Sequence, residues 1–106
     1  METVEILEKA RALISDKNRW AKGYFAKDKA GRNCSTRSQD AVCFCSLGAL
    51  CKVMDIHFMD VTGKPATEAL RKEVPAGTDI AGFNDSGSHA EVLALFDRAI
   101  AAARED

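Results

Sequence analysis

Residues 41–54 read Ala41-Val42-Cys43-Phe44-Cys45-Ser46-Leu47-Gly48-Ala49-Leu50-Cys51-Lys52-Val53-Met54, and how this run folds decides the rest of the chain. Only Ser46 and Lys52 clearly interrupt it. A helix that is apolar around its circumference must be wrapped by other elements. The run therefore predicts a central helix from near Ser38 or Asp40 to about Met54. Gly48 in its middle costs about 1 kcal/mol against alanine, and its missing side chain lets a neighbouring element come close.

Working outward, Ile6, Leu7, Ala10, Leu13 and Ile14 form one apolar stripe at helical spacing and predict a first helix over 3–15. Asp16 suits the cap of a short turn over 17–20 that carries Trp20 back toward the core. Lys22–Lys27 and Arg32–Thr36 flank Asp28-Lys29-Ala30-Gly31, where aspartate opens a turn and glycine closes it, predicting a small β-hairpin over 22–36. Residues 56–61 fit either a short strand or a buried loop. Pro65 suits the first position of a short helix over 66–74, which Pro75-Ala76-Gly77 ends. Asn84-Asp85-Ser86-Gly87 has turn composition. Ser88-His89-Ala90-Glu91 has the form of a capping box, opening a last helix to about Arg104 with Val92, Leu93, Phe96, Ala99, Ile100 and Ala103 inward. The expected fold is a mainly helical α+β domain over 1–106, with about four helices around 40–54 and one hairpin.

Composition narrows the function classes. With 106 residues, 46% hydrophobic and 29% charged, the chain is too short for two cores and too apolar for disorder. No apolar signal region follows Met1, and the apolar run of 41–51 is about half a membrane span. Four cysteines without a secretory signal suit reduced thiols in the cytoplasm.

Those cysteines invite three chemistries. A metal site would draw on Cys43, Cys45, Cys51 and His57. On the expected helix, however, Cys43 and Cys45 point about 200° apart, and no knuckle spacing is present, so no metal is expected. A Cys43–Cys51 disulfide would have to cross about 12 Å of helix axis. A thiol enzyme is the sharper idea. Cys45 near a helix start would be activated by His89, with Asn84 or Asp85 as orienting group. The apolar neighbours Val42, Phe44 and Leu47 instead suit a buried thiol that only packs. No phosphate loop, dinucleotide fingerprint or serine elbow occurs, and no cofactor is expected.

Charge is the most uneven feature. Between Lys17 and Arg37 seven cations face one acid, a segment of net +6 that leaves −7 for the rest of a chain whose total is −1. Trp20, Tyr24 and Phe25 are interleaved with the cations. This pattern points to a non-catalytic protein-binding or regulatory module that meets an acidic protein surface with Trp20, Lys22, Tyr24, Lys27, Lys29, Arg32 and Arg37. A nucleic-acid-binding domain on the same face is the alternative, disfavoured because such domains are usually basic overall. A thiol enzyme using Cys45 and His89 ranks behind both.

Three stretches together resemble a small bacterial and bacteriophage domain family of unknown function, over about residues 6–55 and 80–104. They are Arg11-Ala-Leu-Ile-Ser-Asp16 through Trp20 to the Asp28–Arg32 turn, Ala41 to Leu50, and Phe83-Asn84-Asp85 through His89-Ala-Glu-Val92 to Ile100. The family commonly has tryptophan where this chain has Phe83. The resemblance implies no activity and a cytoplasmic, phage-related setting.

Overall fold

The computed structural model describes residues 1–105. Among them are five α-helices and one two-stranded antiparallel sheet. In chain order they are α1 (Thr3–Leu13), β1 (Ala26–Lys27), β2 (Cys43–Phe44), α2 (Ser46–Met54), α3 (Pro65–Arg71), α4 (Ile80–Ser86) and α5 (His89–Glu105). Short 3₁₀ turns lie at Lys17–Arg19 and Phe58–Asp60. One buried cluster joins Leu7, Ala10 and Ile14 of the first helical region to Leu50 and Cys51, Leu70, and Val92, Leu95 and Phe96. Helix α1 packs on α2 and α5.

The decisive run is not one helix over 40–54. Its first part is extended: β2 pairs with β1 in the register Ala26↔Phe44 and Lys27↔Cys43. Val42 N–H donates to the Lys27 carbonyl at 2.9 Å and Cys45 N–H to that of Phe25 at 3.2 Å. Helix α2 starts only at Ser46. Its first turn is capped by the Cys45 sulfur, which accepts from Gly48 N–H at 3.3 Å. A run of apolar residues this dense carries no phase, so it permits strand or helix, and the edge offered by β1 decides. Cys43 and Cys45 thus lie on a strand and a cap, and the helical geometry set against a shared ligand or a disulfide does not apply to them.

The close approach expected at Gly48 is present. A Cβ built there would stand 1.8 Å from the Phe25 carbonyl oxygen, so the chain crosses α2 with backbone against backbone. The helix ends at Asp55, which takes a left-handed conformation with φ 54°.

The hairpin over 22–36 shrinks to its turn. Asp28 Oδ1 accepts from Ala30 and Arg32 N–H at 2.9 and 3.0 Å, and Gly31 adopts φ +79°. Past the turn only the Lys27↔Asn33 bridge and a bond from Cys34 N–H to the Ala26 carbonyl survive. Two successive serine turns, with Ser35 Oγ accepting from Arg37 N–H and Ser38 Oγ from Asp40 N–H, then lead the chain away and return it as β2. On its other side β2 is bridged by Trp20, and Ala21 N–H donates to the Phe44 carbonyl at 2.9 Å.

Asn84-Asp85-Ser86 is not a turn but the end of α4, a fifth helix. Asp79 caps it, accepting from Gly82 N–H at 2.7 Å, and Ser86 Oγ donates back to the Gly82 carbonyl. The capping box stands as expected: Ser88 N–H donates to Glu91 Oε1 at 2.9 Å and Glu91 N–H to Ser88 Oγ at 3.1 Å. The Ser88 N–H holds the Glu91 carboxyl below its ordinary pKa. Residues 58–60 are a 3₁₀ turn, with Val61 buried behind it.

Candidate functional site

Each of the four residues of the thiol hypothesis is engaged in hydrogen bonds, and of them only Asn84 and Asp85 bond to each other. Asn84 is fully buried on α4. Its Oδ1 accepts from the Trp20 indole N–H at 2.9 Å, Ser46 N–H at 3.0 Å and Ser46 Oγ at 2.8 Å. Its Nδ2 donates to the Ala21 carbonyl at 2.9 Å and to Asp85 Oδ1 at 3.0 Å. The same Asp85 oxygen accepts from Gly23 N–H at 3.0 Å. An amide with two donors and one carbonyl oxygen has no capacity left. Asn84 therefore ties three elements together: it caps the first turn of α2 from outside, anchors Trp20 and Ala21 and belongs to α4.

The His89 ring packs against that of Trp20, centroids 5.4 Å apart and planes tilted by 42°, with Nε2 2.7 Å from the Ile14 carbonyl. A carbonyl only accepts, so Nε2 carries the proton and satisfies the open end of α1. Among the described residues no hydrogen bond joins Cys45 to His89 or to Asn84. Burial pushes the Cys45 thiol above its ordinary pKa, outweighing the Gly48 N–H that favours the thiolate. Cys51 is pushed to about 11 by the same cause. Cys43 donates its S–H to the Asn18 carbonyl at 3.1 Å.

The basic segment divides differently. Lys22 lies over the Trp20 ring at 5.2 Å and Lys27 over the Tyr24 ring at 5.1 Å. Arg32 pairs with Asp28 at 3.0 Å and Arg37 with Asp55 at 3.1 Å, so two of the seven cations are met by acids. Lys29 is exposed at the loop tip. No ion pair engages Lys17, Lys22, Lys27 or Lys29 among the described residues. Trp20, half-buried and bonded to Asn84, belongs to the inward side; Tyr24 is 47% exposed and belongs to the outward one.

Beside Tyr24 opens a cleft of about 490 Å³. Tyr24 and Phe25 form one wall, Cys34 and Thr36 another, and His57 with Phe58 a third. Phe58 is 48% exposed, yet it is held by two rings: Phe25 at 5.1 Å and His57 at 4.5 Å between centroids. His57 is fixed in turn, its Nδ1 accepting from Met59 N–H at 3.2 Å. On the other side of Gly23–Phe25 a much smaller hollow, about 90 Å³, is lined by Cys45, Leu47 and Asp85.

A family of unknown function (DUF6197) has a model that matches residues 1–102. The chain belongs to that family. No curated protein and no solved structure matches it significantly. The DUF6197 match runs through residues 56–79, which the sequence resemblance left uncovered, so the wall built by His57 and Phe58 is part of the family domain. Among the described residues of this DUF6197 protein no helix is long and apolar enough to cross a membrane.

Sequence reasoning missed Phe58 and Thr36 as site residues. The available signal was Phe58-Met59, an apolar pair that a half-buried strand cannot hide on one face. Met59 is 74% exposed.

Proposed function

We propose that this DUF6197 protein is a non-catalytic binding module that meets an acidic protein surface through Tyr24, Lys27, Lys22 and Lys29. It would act in the cytoplasm of a bacterium or in a bacteriophage setting, as the sequence resemblance implies. One observation carries the reading. The side chains equipped for chemistry (Asn84, His89 and Cys45) are committed to internal bonds, while the lysines and Tyr24 of the basic segment face outward. The four unpaired thiols are compatible with a reducing compartment.

A nucleic-acid partner is the second reading, favoured only by the exposed Tyr24 ring beneath a lysine, which could stack a base. The overall pI of about 6.1 speaks for the protein partner. A nuclease-treated pull-down compares the natural chain with its Lys22→Glu/Lys27→Glu/Lys29→Glu variant. We expect a nuclease-resistant protein retained by the first and lost by the second. Retention unchanged by the charge reversal, or abolished by nuclease, overturns the reading.

A further inference from the structure

We infer that the cleft between Tyr24 and Phe58 is the anchoring pocket of this face, and that it takes one aromatic side chain from an acidic segment of the partner protein; the inference rests on the binding reading above. Size is the first argument. At about 490 Å³ the cleft lies within the range of binding pockets and has room for one large ring with its backbone. Its preformed shape is the second. An exposed phenylalanine normally moves, but Phe58 is braced by Phe25 and by His57, and His57 is pinned to its own turn by the Met59 N–H. A wall held in place avoids part of the ordering cost of binding.

The lining itself is mixed. Rings on two sides suit an aromatic guest by edge or offset stacking. Thr36 is buried on the third side, where the exposed Asn33 amide and the hydroxyl proton of Ser35, whose oxygen accepts from Arg37 N–H, are left to bond a peptide backbone. Electrostatics chooses the flanks of the guest. Lys27 lies over the Tyr24 ring at the cleft wall, within a segment whose net +6 is reduced by one where Asp55 pairs with Arg37. Carboxylates on either side of the inserted ring meet that field, whereas a basic segment would be repelled. Hot spots commonly have this form, an aromatic anchor in a pocket with charges around it.

The test uses the full chain and three synthetic peptides, Glu-Glu-Phe-Glu-Glu, Glu-Glu-Ala-Glu-Glu and Lys-Lys-Phe-Lys-Lys, titrated while backbone amide spectra are recorded. The phenylalanine peptide should shift the amides of Tyr24, Phe25, Cys34, Thr36 and Phe58, and should slow alkylation of Cys34. The alanine peptide should bind about tenfold more weakly, the scale of one buried large side chain, and the lysine peptide not measurably. Phe58→Ser, its fold checked in the same spectra, should weaken the phenylalanine peptide about tenfold and leave the alanine peptide unchanged. Lys27→Glu should weaken both acidic peptides.

Equal binding of the two acidic peptides, with Phe58→Ser indifferent, overturns the anchor while the basic-face reading stands. No binding of either, or indifference to Lys27→Glu, overturns both. The same amides shifting with an oligothymidylate but not with peptide reassign the cleft to single-stranded nucleic acid. Self-association that closes the cleft, seen by sedimentation, reassigns it to a second copy of this chain.

Discussion

Two regions share the Trp20–Phe25 segment and treat it in opposite ways. On one side, around Asn84, polar groups are buried and every hydrogen-bonding position of the amide is used. On the other, at the Tyr24–Phe58 cleft, aromatic groups are exposed and, among the described residues, the lining side chains bond only within their own turns, Ser35 Oγ accepting from Arg37 N–H and His57 Nδ1 from Met59 N–H. Residue types that look reactive in sequence, an asparagine, an aspartate, a histidine and a cysteine, lie in the closed region and build structure. The open one sets aromatic rings beside a lysine and has a cysteine and a histidine of its own, Cys34 and His57. Reactive-looking composition is therefore a poor guide here; spare bonding capacity is a better one.

The comparison breaks most sharply at Asn84. Asn84→Ala removes five hydrogen bonds and leaves the Trp20 indole N–H, the Ser46 N–H and hydroxyl and the Ala21 carbonyl without their partner. Buried polar groups stranded this way cost about 1–3 kcal/mol each in isolation, less where water enters. A total loss of about 3–5 kcal/mol is expected by urea unfolding, with Trp20 and Ala21 released from Asn84 while Gly23 stays bonded to Asp85. A loss below about 1 kcal/mol would mean that the buried node does not hold the fold and that spare capacity exists there after all.

Gly48→Ala comes next, because Gly48 seats the residue that borders both regions. Its added methyl cannot coexist with the Phe25 carbonyl, which also accepts from Cys45 N–H. Either α2 or the strand must shift, at about 2–3 kcal/mol by the scale of overpacking. Since Phe25 braces Phe58, the variant should also disturb the amides of the cleft, which Asn84→Ala reaches only through Gly23. Amide spectra of the two variants separate the cases.

Sequence alone discloses the parts of this fold that are local. The Asp28–Gly31 turn, the Ser88–Glu91 capping box and the role of Pro65 each depend on neighbours within four residues, and each stands where the chain announces it. Gly48 is legible for a related reason: a glycine inside an apolar helix implies something close by. What stayed hidden depends on contacts across the chain. The break at Cys45 follows from the edge of β1, some eighteen residues earlier, and not from any residue in the run. Helix α4 is hidden because Asn84, Asp85 and Ser86 have turn chemistry locally, and only burial against Trp20 and Ser46 makes an asparagine worth keeping in a helix. The cleft needs three separate segments, and none of them carries its shape.

Thr67 supplies a smaller test of the same rule. Its hydroxyl is buried on α3 without a hydrogen-bond partner, the opposite of Asn84. Thr67→Val removes a hydroxyl that has lost its water and gained nothing, so the chain should become about 1 kcal/mol more stable, read as a higher urea midpoint at constant slope. Destabilisation by a similar amount would show that this hydroxyl is bonded in solution.

Phe58→Ser should change stability least, and for that reason it bears hardest on the open side of the comparison. Phe58 is half exposed, lies outside the buried cluster and touches it through Phe25. Removing the ring forfeits its tilted pairs with Phe25 and His57, offset in part by taking an exposed apolar surface out of water. A net loss within about 1 kcal/mol is expected, with unfolding as cooperative as before. A loss near that of Asn84→Ala would put Phe58 in the core, and the cleft would be a packing defect. Near-neutral stability joined to the loss of peptide binding would instead separate the residues that hold this domain together from those it presents to a partner.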